Sequence, residues 1–246
     1  LATPDTVLPT EGFESGNLNG YTATGGSAGT ETPFAGGYSA RIAGSEGRDG
    51  VIAKQITGLT VGKTYRVTAF VSTSAGTTAY LFAREAGKDG VRTAVCDSQK
   101  YIKRELTFTA TAATMEVGLL YPAGNASHKS AAMDELTVVR VEETRTAEVA
   151  DMTNNTFTLR GGDGKESMLK LTFSNATDKI VNAKVTVDGK TYASVPFSRT
   201  GAASDVGTVY VPVVVGSETK IVFDFGAETV TIRDAAVVRV TERFAK

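Results

Sequence analysis

Strand-type alternation of apolar and polar residues runs along most of this chain, and it restricts the fold more than any other feature. In "TYRVTAFVS" (64–72) every second residue from Tyr65 is apolar, and this period of two predicts a half-buried β-strand. No segment of comparable length has the three-to-four-residue apolar spacing of an amphipathic helix. Similar short segments include "YSARIA" (38–43), "VIAKQI" (51–56), "TAYLFAR" (78–84), "RELTFTA" (104–110), "TMEVGLLY" (114–121), "ELTVVRV" (135–141), "SMLKLTFS" (167–174), "GTVYVPVVV" (207–215) and "TKIVFDFG" (219–226).

The composition agrees with an all-β chain of short strands and tight turns. There are 26 glycines but only 6 prolines, and the 246 residues suffice for one large or two small domains. The net charge of -1 gives no reason to expect a nucleic-acid partner. No apolar run approaches the roughly 18 residues that cross a bilayer, so we predict no membrane insertion. The chain starts without a methionine or signal peptide, which is typical of a mature or excised fragment.

Sequence motifs for catalysis are missing. "GLTVGKTY" (58–65) resembles a phosphate-binding loop, but its glycine spacing is too short and a strand follows it where a helix is required. One histidine and one cysteine cannot form a zinc cluster, and there is no G-x-S-x-G motif. We therefore predict no catalytic residues, although a carboxylate pair for glycoside hydrolysis remains an open alternative.

The two halves of the chain end alike. Asp134 begins "DELTVVRVEE" and Asp234 begins "DAAVVRVTE", with the polar stretch "EETRTAEVADMTNN" (142–155) between the halves. We interpret this as two antiparallel β-sandwich domains in tandem, residues 1–142 and 143–246. The alternative is that two amphipathic strands rich in Val and Arg are similar by chance.

The first half resembles a known group of proteins. In order, "GFESGNLNGY" (12–21), "FAGGYSARI" (34–42), "ITGLTVGKTYRVTAFV" (56–71), "KYIKRELTFTA" (100–110) and "AAMDELTVVRV" (131–141) are similar to jelly-roll carbohydrate-binding modules of the family 4, 9 and 22 type. The resemblance covers residues 11–141. The second half more distantly resembles the smaller modules of families 6 and 35. The resemblance implies two galactose-binding-like jelly rolls that bind polysaccharide without catalysis.

The absence of tryptophan departs from this family pattern. Such modules normally stack a sugar ring on an exposed Trp. Tyr21 and Tyr101 occupy positions where the family usually has Trp. Either tyrosines stack on the sugar, or one or both modules have lost sugar binding and act as spacers.

The resemblance also implies a structural calcium ion in the first domain. Glu14 and Asp134 are the expected carboxylate ligands, because the first and last strands of a sandwich commonly lie side by side. The backbone of Gly37 would add oxygen ligands, since calcium takes about 6–8 of them. In the second domain, Asp234 with Glu148 is a weaker candidate. The alternative is that Glu14 caps a turn and Asp134 is a solvated residue.

A sugar site is predicted on one face of "TAYLFAREAG" (78–87). Tyr80, Phe82 and Arg84 share that face by alternation. Tyr101 and Lys103 follow in a segment with a local excess of basic residues, which favours an acidic glycan. The alternative is that Tyr80 and Phe82 face the core and the basic residues form a solvated surface. Two residues of the loop "YPAGNASHKS" (121–130), Asn125 and His128, are further candidates for contacts with sugar hydroxyls.

These observations predict a monomeric, secreted or cell-surface bacterial protein that binds a polysaccharide or oligosaccharide. It would act as a non-catalytic accessory region of a multidomain glycan-degrading enzyme, with two linked sites that increase its hold on the substrate. The alternative function is structural, as a sandwich spacer, an adhesin or a surface-layer stalk.

Overall fold

The chain is described by a computed structural model that places residues 4–44, 47–93, 95–201, 203 and 205–244. All regular structure among these residues is β-strand. No helix in the described part of the chain is long and apolar enough to cross a membrane. The all-β, antiparallel prediction is confirmed.

The chain divides into two compact units. The first comprises Leu1–Lys88, Val95–Arg140 and Phe244–Lys246, and the second comprises Asp89–Ala94 and Val141–Arg243. The main division along the chain therefore falls between residues 140 and 141. The sequence placed the boundary between residues 142 and 143.

The first unit has two antiparallel sheets. Its strands are β1 (Thr6–Glu11), β2 (Tyr21–Thr24), β3 (Ser27–Glu31), β4 (Ser39–Ala43), β5 (Gly50–Ile56), β6 (Thr64–Thr73), β7 (Tyr80–Arg84), β9 (Ile102–Thr109), β10 (Met115–Tyr121) and the first part of β11 (Ser130–Thr153). One sheet contains β3–β4–β11–β6–β9 with β1 also paired to β11, and the other has the order β2–β5–β10–β7.

The core of the first unit follows the predicted alternation. Along β6, Tyr65 and every second residue after it are buried, while the intervening residues are half-buried on the outer face. Leu81, Leu119 and Ile52 pair across β7, β10 and β5 and are fully buried, so their side of this sheet faces the core. Burial of such apolar surface, at about 25 cal/mol per Å², is the main stabilising contribution.

The second unit is a smaller sandwich of two four-stranded sheets. Their orders are β15–β14–β17–β12 and β11–β18–β13–β16. Phenylalanine rings dominate its core, in edge-to-face and stacked pairs around Phe197 and Phe223. Its strands are β8 (Val91–Arg92), the end of β11, β12 (Thr156–Arg160), β13 (Glu166–Ser174), β14 (Val181–Val187), β15 (Lys190–Phe197), β16 (Gly207–Val214), β17 (Glu218–Asp224) and β18 (Thr231–Glu242).

The polar stretch after residue 141 is strand, which differs from its interpretation as a break between strand patterns. β11 continues to Thr153 because its backbone pairs with β18 over Val141–Ala147 and with β12 over Glu148–Thr153. Polar side chains there remain exposed or half-buried. Backbone pairing, which sequence hydropathy does not report, keeps this segment extended.

We expect each unit to fold by itself. Fragments 1–140 and 141–246 should each give dispersed amide NMR spectra, because each contains most of a separate core. The second fragment should unfold at a lower denaturant concentration than its counterpart in the intact chain. The reason is that the second fragment lacks Asp89, whose carboxylate accepts two hydrogen bonds from the Arg199 guanidinium at 2.6 and 2.7 Å in the intact chain. Disordered spectra from both fragments would contradict independent folding.

Candidate functional site

The outer face of the β2–β5–β10–β7 sheet carries the predicted sugar-binding side chains. The strand register places Tyr80, Phe82 and Arg84 of β7 opposite Leu120, Gly118 and Glu116 of β10, respectively. Leu120 and Gly118 in turn lie opposite Val51 and Ala53 of β5. The prediction that Tyr80, Phe82 and Arg84 share one face of the strand is therefore confirmed.

This face is covered by other side chains, however, and the prediction that it forms a sugar site is wrong for Tyr80 and Phe82. Phe82 is 0% exposed and Tyr80 is 9% exposed, because both pack with Val51 and Leu120 in a second apolar cluster that Val95 also contacts. A ring without accessible surface cannot stack on a sugar. Tyr80 and Phe82 belong to the core, as the alternative interpretation held.

Arg84 also interacts with other side chains of the protein. Its Nε lies 2.6 Å from Oε1 of Glu116, and its guanidinium carbon lies 4.6 Å from the centre of the Phe82 ring. About a fifth of each charged side chain in this pair is exposed. The positive charge is thus balanced locally, which weakens the case for an acidic glycan on this face.

An exposed group of aromatic rings lies instead by the other sheet of the first unit. The Phe34 ring stacks on Phe70 of β6 with a centroid distance of 3.8 Å and an interplanar angle of 11°, and it lies 5.9 Å from the Tyr101 ring. Phe34 is 46% exposed, which is unusual for so large an apolar side chain. We call Phe34, Phe70 and Tyr101 the aromatic ledge.

Hydrogen bonds fix Tyr101 within the ledge. Its hydroxyl donates to the Thr32 carbonyl at 2.9 Å and lies 2.8 Å from Oγ of Ser39. Burial is the largest influence on this hydroxyl and raises its pKa, so Tyr101 stays neutral at physiological pH. Ser72 also contacts the hydroxyl, and Ser72 connects the ledge to a neighbouring polar cavity.

The polar cavity has a volume of ≈ 210 Å³. Its lining includes the Glu31 carboxylate, the Gln99 amide and the hydroxyls of three serines, Ser72, Ser74 and Ser130. Ser74 and Ser130 are joined by a 3.1 Å contact between their hydroxyls. Donors and acceptors beside an aromatic surface are the combination of groups that a sugar requires.

An ion pair borders this cavity. Nε of Arg41 in β4 lies 2.7 Å from Oε2 of Glu31 in β3, and the two side chains are 37% and 32% exposed. Burial is the main influence on the Glu31 carboxyl and raises its pKa, while the Arg41 charge partly opposes that shift. The pair is thus partly desolvated but still accessible.

The other predicted contact residues have different surroundings. Lys103 lies opposite Phe70 in the β6–β9 pairing and forms an exposed ion pair with Glu105 at 3.3 Å. The Asn125 side chain holds the backbone of Thr78, accepting from its N–H at 3.1 Å and donating to its carbonyl at 2.8 Å. Asn125 therefore stabilises a loop, and the expectation that its amide is available for a sugar is wrong in this conformation. His128 is exposed in the same loop.

Tyr21 does not form an exposed stacking surface. Its ring lies 5.3 Å from the Phe13 ring and 5.0 Å from Nζ of Lys54, and burial raises its pKa. Of the two tyrosines at family Trp positions, only Tyr101 contributes to the aromatic ledge.

Glu14 and Asp134 converge on one loop, residues 34–38. The fully buried Asp134 accepts hydrogen bonds from the N–H groups of Phe34 and Ala35 at 2.9 and 3.0 Å. Glu14 accepts from the N–H of Gly37 at 2.8 and 3.0 Å. Gly36 has φ of +67°, and a Cβ there would lie 2.1 Å from Oε1 of Glu14, so a side chain at this position would strain the backbone and displace the carboxylate.

The second-domain calcium candidate has no such convergence. Asp234 and Glu148 are both exposed, and in their strand pairs they lie opposite Thr172 and Arg160, respectively. The prediction that they form a pair is wrong in this register. Across the described residues, no three Asp, Glu, His or Cys side chains form a group that could hold a metal ion.

The sequence interpretation missed Phe34, Phe70, Glu31 and Arg41 as site residues. Phe70 did give a signal, since it is an aromatic residue on the polar side of an otherwise regular alternation. Phe34 lies in an irregular loop, and its neighbours in space come from distant segments. Only the fold brings them together.

A β-sandwich that presents an exposed aromatic ring beside a polar cavity has the surface features that sugar binding requires. Residues 6–127 match the family model described as a carbohydrate binding domain, CBM_4_9. This part of the chain is therefore similar to a family of non-catalytic carbohydrate-binding domains. A search of curated proteins found no match.

Several solved structures are similar to the chain at low identity. The tandem CBM22-1–CBM22-2 domain of Paenibacillus barcinonensis Xyn10C has 11% identity and a TM-score of 0.45, with 99% of each chain covered. The CBM22-1–GH10 modules of a Clostridium thermocellum endo-1,4-β-D-xylanase, solved with xylohexaose, have 14% identity and a TM-score of 0.43, covering 56% of this chain and 29% of that one. TmCBM61 with β-1,4-galactotriose has 12% identity and a TM-score of 0.42, covering 55% and 98%.

Proposed function

We propose that the first unit binds glycan at the aromatic ledge and the adjoining polar cavity. The observation that carries this proposal is the exposed Phe34 ring, which stacks on Phe70 and lies 5.9 Å from the Tyr101 ring. The Tyr101 hydroxyl contacts Ser72, which lines the polar cavity. A sugar ring can place its apolar face on such a surface while its hydroxyls bond the polar groups. In this proposal the face with Phe82 contributes stability only.

The wider role we propose is that of an accessory region in a secreted bacterial enzyme that degrades polysaccharide. The carbohydrate-binding family model that residues 6–127 match supports the binding part of this role. Stacking on phenylalanine and tyrosine covers less of a sugar than Trp does, so affinity should be modest. We expect dissociation constants from tens of micromolar to millimolar, or roughly -4 to -6 kcal/mol.

A neutral glycan fits this site better than the acidic one inferred from sequence. Two cations beside the proposed site are paired, with Arg41 on Glu31 and Lys103 on Glu105. An acidic sugar would have to compete with those carboxylates. Added salt should therefore change the affinity little, since no net charge is neutralised on binding.

The test is a glycan array followed by titration of Phe34→Ala. The change removes the exposed ring and should weaken binding about tenfold, while stability changes by under about 1 kcal/mol. Val61→Ala is the matched control, because Val61 is 61% exposed in the turn that precedes β6, at the end of the strand away from Phe70. Equal binding by both variants would place the site elsewhere. If no glycan binds at all, the structural spacer becomes the better assignment.

We also propose calcium at the loop held by Glu14 and Asp134. Two carboxylates and a glycine-bearing loop fit a hard cation, with backbone carbonyls near Gly37 needed to complete its shell. Each carboxylate retains acceptor capacity beside its amide partners. A bound calcium ion would contribute rigidity at the base of the loop that carries Phe34.

Removal of calcium should then lower the melting temperature of the intact chain. Binding to the native state alone contributes about 2.7 kcal/mol when free calcium is 100 times its dissociation constant. Asp134→Asn should lose the response to chelator, whereas Asp151→Asn, an exposed change in β11, should keep it. An identical melting curve with calcium and with chelator would show that amide hydrogen bonds alone occupy these carboxylates.

A further inference from the structure

The polar cavity is small for a polysaccharide-binding groove. Its volume of ≈ 210 Å³ lies below the about 300–1,000 Å³ of pockets that enclose larger small molecules. A space of this size accommodates one sugar ring and little more. A chain that continued in both directions would have to leave the cavity on two sides.

The Glu31–Arg41 pair places a hydrogen-bond acceptor next to a hydrogen-bond donor. The Glu31 carboxylate only accepts hydrogen bonds and the Arg41 guanidinium only donates them. Adjacent hydroxyls on a sugar ring can each do both, so one hydroxyl can donate to Glu31 while its neighbour accepts from Arg41. The 2.7 Å contact between the two side chains fixes their spacing, and about a third of each remains exposed to a ligand.

The surroundings of the pair favour a hydroxyl ligand over a charged one. A carboxylate ligand would be repelled by Glu31, and an ammonium ligand would be repelled by Arg41. The remaining lining groups near Ser72 and Ser130 are neutral hydroxyls, and the Gln99 amide is neutral as well.

We propose that Glu31 and Arg41 select a single sugar ring through two adjacent hydroxyls, presented by a chain end or a side branch. This inference rests on the proposed function and specifies which sugar the proposed glycan site selects. The aromatic ledge provides stacking without distinguishing sugars, whereas the ion pair distinguishes which hydroxyls are present. The ligand of this proposal is a neutral terminal sugar.

The test uses the full chain and a panel of methyl glycopyranosides of glucose, galactose, mannose, xylose and fucose. Each competes against a polysaccharide selected on the array, and deoxy analogues of the best competitor follow. One glycoside should displace the polysaccharide completely at millimolar concentration. Loss of one of its adjacent hydroxyls should weaken its binding about tenfold, since a hydrogen bond to a charged side chain is then lost.

Variants of the pair identify the residues responsible. Glu31→Gln and Arg41→Lys should each lower the affinity for the parent glycoside about tenfold. The affinity for the deoxy analogue that lacks the corresponding hydroxyl should be nearly unchanged, because that analogue does not make the contact that the substitution removes. Glu218→Gln is the matched control, as Glu218 pairs with Arg160 at 3.0 Å on an exposed surface of the second unit. A substitution that only destabilised the protein would lower the apparent affinity for the parent and the deoxy glycoside equally.

The outcomes separate this inference from the proposed function. Competition by oligosaccharides of several units but by no single glycoside would overturn terminal recognition while leaving the ledge as a binding site. Equal loss for parent and deoxy sugars in Glu31→Gln would overturn the role of the pair. Glycan binding that is indifferent to Phe34→Ala would overturn both proposals.

Discussion

Phe82→Ala is expected to lower the free energy of unfolding by about 3–5 kcal/mol, because it removes a fully buried ring and leaves a cavity. The ring packs in the cluster with Tyr80, Val51 and Leu120, and the Arg84 guanidinium lies over it. Urea denaturation of the intact chain, followed separately for the two units, measures this loss. The change should be confined to the first unit.

Phe82→Leu provides the control for Phe82→Ala. It keeps most of the buried apolar volume and should cost clearly less, about 1–2 kcal/mol. Glycan affinity of the folded fraction should be unchanged in both variants. A loss of binding with normal stability would instead return Phe82 to a ligand site and contradict the assignment of this face to the core.

Tyr101→Ala should weaken glycan binding by about 10- to 30-fold, equivalent to about 1.4–2 kcal/mol. The change removes a ring of the aromatic ledge and the hydroxyl that joins Thr32 and Ser39. Some stability is lost with those hydrogen bonds, at about 1 kcal/mol each. Isothermal titration at a temperature well below the unfolding transition separates the two effects.

Tyr101→Phe separates the ring from the hydroxyl. It retains the stacking surface and should bind within about threefold of the original chain, provided that the loop holding Phe34 keeps its position. If Tyr101→Phe loses as much affinity as Tyr101→Ala, the hydroxyl positions the ledge and stacking contributes little. Unchanged binding by Tyr101→Ala would remove the ledge from the site.

Local periodicity was sufficient for the secondary structure of much of this protein. Alternation in 64–72 gives both the strand and its buried face, and alternation in 78–84 correctly places Tyr80, Phe82 and Arg84 on one side. Such inferences succeed because the side-chain direction in a strand depends only on the position within it. The resemblance also located Glu14 and Asp134, which converge on the same loop.

The exposure of each face, in contrast, was decided by tertiary structure. Whether Phe82 meets solvent depends on Leu120 and Val95, which are distant in sequence, and no period within β7 reports that packing. The extension of β11 beyond Val141 likewise depends on pairing with β18, which begins some ninety residues later. The proposed site is assembled from β3, β4, β6 and two loops, so its residues become a group only when the sheet forms. Sequence determined which way side chains point, and long-range packing determined which of them remain available to a ligand.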